Sequence, residues 1–301
     1  MPGCAADLLR RHLGRYPALA VAAAAIFALE GCGGNRDATS EVTAATARTL
    51  SQTAGSSLTL EGAPLFGATE KPVLARAGFL FERGIGFEAM DIPDVDRHQG
   101  GRVYLVFLPR AVYIRPSPAA AATLPPGKSW VVAPLSRSVD TVFPRLVEQV
   151  EGLNPQLLLD EIAWGAETVS AEGHEVVDHV PFARYNVTVS LDRALAGATG
   201  PGAEAMQLAI EDQLEALKSS RPGGPATVAV KVWVDGPGRV ARLQAVLPGS
   251  GLGTVGFVLS GFGSTIRSSL PSASELVAIT SLPRPTGVGS RSPLLAFGLA
   301  P

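Results

Sequence analysis

The sequence predicts an α+β fold in which helices cover one face of an antiparallel β-sheet. Three observations predict it: segments in which apolar and polar residues alternate, turns rich in Gly, Pro and Asp between these segments, and a few stretches with helical periodicity. Alternation with a period of two indicates strands that bury one face only, which is typical of antiparallel sheets. Helices must then cover the buried face.

The N-terminal residues 1–31 have the order of features of a secretory signal. Three arginines (Arg10, Arg11 and Arg15) precede an uncharged apolar run at 18–29, and a small residue stands just before Cys32. A helix of about a dozen residues is about 18 Å long, shorter than the bilayer core of about 30 Å. Cleavage and export are therefore favoured, and an uncleaved membrane anchor is the alternative.

Cys32 is the predicted lipid-attachment residue. Leu29-Glu30-Gly31-Cys32 resembles a lipobox, although Glu30 replaces the small residue usual there and leaves the cleavage point open. Residues 32–40 would form the lipidated start and a short polar tether on the extracytoplasmic face of the cell membrane. The alternative is a secreted protein in which Cys32 has no role.

The remaining composition argues against several classes of partner and cofactor. The net charge of the chain is only −2, which does not attract nucleic acid. Cys4 is removed with the signal, so the mature chain would contain no disulfide. The chain from 41 to 280 is expected to form one domain, and the Pro-, Gly- and Ser-rich residues 281–301 a flexible tail.

In the first half of this domain, strand patterns are interspersed with helical ones. Strands are predicted at 102–107, 111–115 and 130–132, with a Pro109-Arg110 turn after the first and a loop at 116–127. Helices are predicted at 41–52, 140–150 and 155–164. Ser40 is the expected N-cap of the first helix, and Asn154, followed by Pro155, that of the third.

Strand patterns dominate the second half. Period-two alternation predicts strands at 184–190, 228–235, 240–247 and 255–259. A turn at Asp235-Gly236-Pro237-Gly238 joins the second of these strands to the third. A helix is predicted at 202–219, between the first strand and the second, because its apolar residues recur at helical spacing.

Motifs of enzymes are absent or stand in the wrong context. His174-Glu175-Val176-Val177-Asp178-His179 has Asp178 where a zinc peptidase needs its second histidine, so we expect a hairpin turn there, with a metal site as the alternative. Gly251, Gly253 and Gly256 have the spacing of a dinucleotide fingerprint, but they precede a strand and predict a turn. No nucleophile elbow or Walker loop is present. The sequence predicts no catalysis, metal or other cofactor.

The chain resembles the mycobacterial-type envelope lipoproteins related to LppX and LprG, which share a fold with the Lol carrier proteins. The stretches that carry the resemblance are 111–115 (AVYIR), 126–130 (PGKSW), 154–158 (NPQLL), 185–189 (YNVTV), 232–240 (VWVDGPGRV) and 259–263 (LSGFG), followed by 271–277. The segment from Leu58 to Met90 matches less well. The resemblance implies a strongly curved antiparallel half-barrel whose concave side is closed by helices around an apolar cavity.

The resemblance also implies that this cavity binds or transfers a lipid or lipid-linked glycan, with an envelope transporter as a further partner. The candidate wall residues are the inward sets of the strand patterns: Val103, Leu105, Phe107, Tyr185, Val187, Val189, Val228, Val230, Val232, Phe257 and Leu259. The alternative is that these side chains pack the core beneath the helices. A buried chain of twelve carbons would gain about 10 kcal/mol, at about 0.8 kcal/mol per methylene.

Two functions follow from these alternatives. An apolar cavity favours a lipid carrier without catalytic turnover. A filled core with an exposed apolar patch favours a membrane-anchored adaptor or sensor that binds a protein partner.

Overall fold

A sheet of twelve strands organises the protein in the computed structural model, which describes residues 37–62, 72–92, 101–142, 146–200, 202–266 and 270–282. The strands of the N-terminal half are β1 (Thr53–Glu61), β2 (Val73–Leu80), β3 (Ile85–Ile92), β4 (Gly101–Leu108), β5 (Ala111–Arg115) and β6 (Trp130–Pro134). The later strands are β7 (Ala166–Val177), β8 (Val180–Ser190), β9 (Thr227–Val234), β10 (Val240–Val246), β11 (Thr254–Ser260) and β12 (Leu276–Ala278).

The helices lie between the strands along the chain. They are α1 (Ala38–Leu50), α2 (Pro118–Ala121), α3 (Arg137–Val142), α4 (Leu146–Glu151), α5 (Pro155–Gly165), α6 (Leu191–Gly197) and α7 (Ala203–Ser220). Short 3-10 turns occur at Phe81–Arg83, Ala273–Glu275 and Ile279–Ser281. Within the described ranges, no helix is both long enough and apolar enough to cross a membrane.

The sheet is open and almost entirely antiparallel. Its strand order is β12-β6-β5-β4-β3-β2-β1-β11-β10-β9-β8-β7, which leaves β12 and β7 as the two edges. The pairing of β12 with β6 is parallel, and the other pairings are antiparallel. The α+β class and the mostly antiparallel sheet predicted from the sequence are confirmed.

One face of the sheet, which we call the inner face, carries the buried residues. On β8 and β11, for example, alternate residues are buried and the residues between them are partly or fully exposed. The buried side chains of the helices, such as Leu157, Ile162 and Ala209, belong to the same apolar cluster as those of the inner face. Alternation therefore sorts each strand into a side that faces this cluster and a side that faces away from it.

The strands that were predicted are found within a few residues of their expected bounds, and two predictions about helices and loops are corrected. Helix α1 begins at Ala38, so Ser40 lies inside its first turn and not at the N-cap. Of the helix expected at 140–150, the described residues lie in α3 and α4, and residues 143–145 lie outside the described residues. The expected loop at 116–127 contains the short helix α2.

The cap predicted for the third helix is confirmed. The backbone N–H of Gln156 donates to Asn154 Oδ1 at 3.0 Å, and Pro155 occupies the first turn of α5. The signal, Cys32, most of the tether and most of the C-terminal tail lie outside the described residues; the last tether residues, 38–40, are the start of α1. The chain from Ala38 onward clusters into one compact unit.

Candidate functional site

The second-half wall residues lie together on the inner face. These are Tyr185, Val187 and Val189 on β8, Val228, Val230 and Val232 on β9, and Phe257 and Leu259 on β11; all of them are buried. Tyr185, Val187 and Val189 lie directly opposite Val232, Val230 and Val228, respectively. Strand β10 separates β9 from β11 and places Leu243 between Val232 and Phe257. We call this surface the apolar wall; it is defined by the inner residues of β8–β11.

The other predicted wall residues lie further away on the same face. Val103, Leu105 and Phe107 are buried on the inner side of β4. Strands β1, β2 and β3 separate β4 from β11. The predicted residues therefore form two groups on one face, and the strands between these groups were not predicted.

Helix α1 is fastened to the strands of the apolar wall. The Thr49 hydroxyl accepts a hydrogen bond from the backbone N–H of Val240 at 2.9 Å, and the Arg48 guanidinium donates to the carbonyl oxygens of Pro237 and Gly238. The Tyr185 hydroxyl is hydrogen-bonded to Glu41, and burial together with this bond raises the pKa of Tyr185. These bonds hold α1 against β8, β10 and the β9–β10 turn.

A buried polar pair joins helices α5 and α7. Gln213 Nε2 donates to Glu161 Oε1 at 2.8 Å, and burial raises the pKa of Glu161 to about 8. Within the described part of the chain, the second carboxyl oxygen of Glu161 and the amide oxygen of Gln213 have no hydrogen-bond partner. The carboxyl is thus largely protonated at neutral pH, because no cation offsets its desolvation.

A pocket of about 460 Å³ opens at the end of the sheet where the Phe81–Arg83 turn meets α4, α5 and α7. Its lining includes Phe81, Glu151 and Asp160. Burial raises the pKa of Glu151 to about 7 and that of Asp160 to about 7. This pocket therefore has an aromatic side and a side with two carboxyls whose pKa values lie near neutral pH.

Aromatic contacts connect this pocket with the inner face. Phe81 stacks on Phe79 with 5.6 Å between ring centres, and Phe79 lies 5.9 Å from Phe107 by the same measure. The Phe79 ring also lies over Gly86, where a β-carbon would collide with it. Phe107, one of the predicted wall residues, is thus in a chain of ring contacts that reaches the pocket.

Glu88 places a buried carboxyl on the inner face of β3 that was not predicted from the sequence. Glu88 is 3% exposed, and neither of its carboxyl oxygens has a hydrogen-bond partner in the described part of the chain. Burial raises the pKa of Glu88 well above its ordinary value. The Ser56 hydroxyl on β1 is likewise buried and without a partner.

Alternation along β3 could not have identified Glu88 as buried. Both sets of alternate residues in β3 mix polar and apolar types, with Gly86, Glu88 and Met90 on the buried side and Phe87 and Asp91 on the other. A pattern of this kind does not indicate which face is buried. The cross-strand partners of Glu88, Ala77 and Leu105, establish its position on the inner face.

The histidine-containing segment forms a hairpin, as predicted. His174 lies in β7 opposite Ala183 on β8, and the turn consists of Asp178 and His179, whose φ angles are 49° and 66°. Two consecutive positive φ angles are the feature of a two-residue type I′ turn. Among the residues that the structure describes, no cluster of three or more His, Cys, Asp or Glu side chains is suited to hold a metal ion.

No known protein family profile and no curated protein matches the sequence. Among solved structures, the chain is similar to LprF from Mycobacterium bovis, with a TM-score of 0.42 and 10% identity over 78% of this chain and 97% of that one. It is similar to the Mycobacterium tuberculosis lipoprotein LppX, with a TM-score of 0.39 and 14% identity over 76% of this chain and 97% of that one. It is also similar to the Pseudomonas aeruginosa MucA/MucB complex, with a TM-score of 0.33 and 12% identity over 77% of this chain and 59% of that one. LppX, one of these structures, is also among the lipoproteins that the sequence motifs resemble.

Proposed function

We propose that this chain is an envelope lipoprotein that binds a lipid or lipid-linked glycan between the inner face of its sheet and its helices, and carries it without catalysis. The observation that carries the proposal is the apolar wall. All the predicted wall side chains are buried on one face, and the helices contribute to the same apolar cluster. An acyl chain that displaces part of the helix layer would meet apolar side chains along four adjacent strands.

The open sheet supports this function because its helices and strands are separable layers. We propose that the sheet curves as a half-barrel and that the helices cover its concave side. The edges β12 and β7 are not paired with each other. Movement of the helices would then require no break in the hydrogen-bond ladder of the sheet. Each methylene buried against the wall contributes about 0.8 kcal/mol, so a chain of twelve carbons contributes about 10 kcal/mol.

Attachment to the extracytoplasmic face of the membrane would be provided by lipid on Cys32. Several acyl chains hold a protein at a bilayer much more firmly than one chain does. We expect the Cys32→Ala protein to move from the membrane fraction to the soluble or secreted fraction, as measured by immunoblotting of fractionated cells. A variant that stays with the membrane to the wild-type extent would place the anchor elsewhere.

The test of the carrier function is the lipid content of the protein itself. The full-length protein would be extracted from a bacterial host that processes lipoproteins, and its non-covalent lipid would be counted by native mass spectrometry. We expect about one bound lipid or lipoglycan per chain beyond the covalent anchor. A protein that never carries such a molecule, from any lipid-containing host, would contradict the proposal.

Edge strand β7 favours a second candidate function, that of an adaptor or sensor for a protein partner, such as an envelope transporter. β7 has twelve residues, none of them fully buried, and it pairs with β8 on one side only in the described part of the chain. A long exposed edge of this kind can accept a strand from a partner. A Val176→Pro substitution would impair such pairing but leave the lipid content unchanged, and this outcome distinguishes the two functions.

A further inference from the structure

The feature that the proposed function leaves unexplained is the buried carboxyl of Glu88. It lies in a row of inner-face residues that crosses the sheet in the order Ser56, Ala77, Glu88, Leu105, Ile114 and Val131. This row contains no Lys, Arg or His. Both carboxyl oxygens of Glu88 and the Ser56 hydroxyl lack hydrogen-bond partners in the described residues. A buried polar group without a partner is costly, so two of them in one row point to a partner that the described residues do not supply.

The residue between Glu88 and Ser56 is small. Ala77 separates the two polar residues in the row, and Ala75 is the next inner residue of β2. Adjacent strands are about 4.8 Å apart, so the backbones of Ser56 and Glu88 are about 10 Å apart across an alanine. We call Ser56, Ala77 and Glu88 the Glu88 hollow, since the alanine has the shortest side chain of the three; the Phe79 ring lies over Gly86, the inner residue of β3 that precedes Glu88.

The chemistry of the two groups selects a neutral ligand group that both donates and accepts. Burial raises the pKa of Glu88 well above its ordinary value and so favours the neutral acid form, which has one O–H donor and an acceptor oxygen. The Ser56 hydroxyl likewise donates and accepts. A carboxylate or phosphate would need a cation, and the row holds none. A hydroxyl group satisfies both residues without any buried charge.

The depth of Glu88 determines where on the ligand this hydroxyl must be. Glu88 is three residues from Ile85 and four from Ile92, the two ends of β3. At about 3.3 Å per residue, it lies about 10 Å or more from either end of the strand. A headgroup held where the strands end would not reach Glu88, whereas a hydroxyl partway along a buried acyl chain would.

We propose that Glu88 and Ser56 hydrogen-bond a hydroxyl group borne along the acyl chain of the bound lipid, so that the protein selects hydroxylated acyl chains over plain ones. This inference rests on the proposed lipid-binding function and names the ligand class of the same site. The apolar wall accepts the hydrocarbon, and the Glu88 hollow accepts its hydroxyl.

The first test compares two probes that differ by a single hydroxyl. Full-length protein, extracted and stripped of co-purified lipid, would be offered octadecanoic acid and octadecanoic acid with one hydroxyl near the middle of its chain, and both complexes would be counted by native mass spectrometry. We expect the hydroxylated chain to bind about tenfold more tightly, as one buried hydrogen bond allows. Equal binding of the two would overturn the inference and leave the carrier function standing. Binding of neither would contradict the carrier function itself.

The second test assigns the preference to Glu88. Glu88→Leu should bind both probes about equally, whereas Glu88→Gln should keep most of the preference because a carboxamide also donates and accepts. Met90→Leu is the matched control, since Met90 is buried on the same side of the same strand. A Glu88→Leu protein that keeps the tenfold preference would contradict the assignment.

A spectroscopic measurement follows Glu88 in the wild-type protein and uses the isosteric Glu88→Gln variant only to identify its band. The infrared carbonyl band of a protonated carboxyl reports its hydrogen bonding, and subtraction of the Glu88→Gln spectrum identifies the band of Glu88. We expect this band to shift when the hydroxylated chain binds and to stay in place when the plain chain binds. A band that responds identically to both probes would overturn the inference.

Discussion

The inner face of the sheet differs between the apolar wall of β8–β11 and the Glu88 hollow of β1–β3. On β8–β11, the inner residues are aliphatic or aromatic, from Tyr185 to Leu259. On β1–β3, Leu58 and Phe79 share the face with Ser56, Ala77 and Glu88. One continuous ladder of strands thus carries an apolar region and a region with polar groups that lack hydrogen-bond partners in the described residues. If the protein binds lipid as proposed, this contrast predicts a ligand that carries a polar group along its hydrocarbon chain.

We expect the largest loss of stability from placing a carboxyl in the apolar wall. Val232 lies opposite Tyr185 on one side and Leu243 on the other, and the Tyr185 hydroxyl is already hydrogen-bonded to Glu41. We expect Val232→Glu to lower the free energy of unfolding by about 3 kcal/mol or more, because the carboxyl would be buried without a partner. Urea denaturation at neutral pH measures this loss. A loss below about 1 kcal/mol would mean that the wall tolerates a carboxyl as well as β3 does.

The pH dependence of stability tests the buried carboxyls of Glu151, Asp160 and Glu161, which lie outside the apolar wall. Burial raises the folded-state pKa of Glu161 to about 8 and those of Glu151 and Asp160 to about 7, whereas in the unfolded chain these groups return to ordinary values. The folded protein therefore holds more protons than the unfolded chain between about pH 4 and pH 8. The contribution of these groups to the free energy of unfolding is fully present below their unfolded-state pKa values. It is lost as the pH rises through their folded-state pKa values of about 7 and about 8.

We expect the free energy of unfolding to fall by a few kcal/mol in order of magnitude between pH 5 and pH 8, since each unit of pKa shift corresponds to about 1.4 kcal/mol. Denaturant titrations at a series of pH values measure the fall. Glu161→Gln should flatten the upper part of this dependence, because the amide keeps a polar partner for Gln213 and does not ionise. A stability that rises over the same range would show that these carboxyls are ionised and compensated in the folded protein.

The smallest expected change in stability comes from removing the carboxyl of β3. We expect Glu88→Leu to leave the free energy of unfolding unchanged or to raise it by about 1 kcal/mol, because an apolar side chain of similar volume needs no hydrogen-bond partner. Thermal melts of the stripped protein measure this difference. A loss of more than about 1 kcal/mol would indicate that Glu88 has a structural partner, and the hollow would then be part of the packed core.

The sequence alone predicts the strands whose two faces differ in polarity. β8 and β9 were predicted because Tyr185, Val187 and Val189 alternate with polar residues, and the register places them opposite Val232, Val230 and Val228. The α5 cap was predicted because Asn154 and Pro155 act through local geometry. These features depend on residues that are close in the chain, so a single sequence contains their signal.

The sequence alone does not predict a strand, or which of its faces is buried, where the two faces are similar in polarity. β7 has no fully buried residue on either face, and β3 mixes polar and apolar residues on both. The position of Glu88 follows from its pairing with Ala77 and Leu105. Strand β4 was predicted, but β2, which carries Ala77, was not. The hollow could not be predicted, since neither Ser56 nor Glu88 differs locally from an exposed residue.

The most direct test of lipid binding at the apolar wall is a single substitution to tryptophan. Val230 is buried on the inner face of β9, whereas Val258 on β11 is 48% exposed on the opposite face and supplies the matched control. For Val230→Trp we expect the co-purified lipid to fall to a small fraction of the wild-type load while the melting temperature of the stripped protein hardly changes; Val258→Trp should keep its full load. A Val230→Trp protein destabilised by about 1–3 kcal/mol that still carries its full lipid load would show an overpacked core and contradict the proposal.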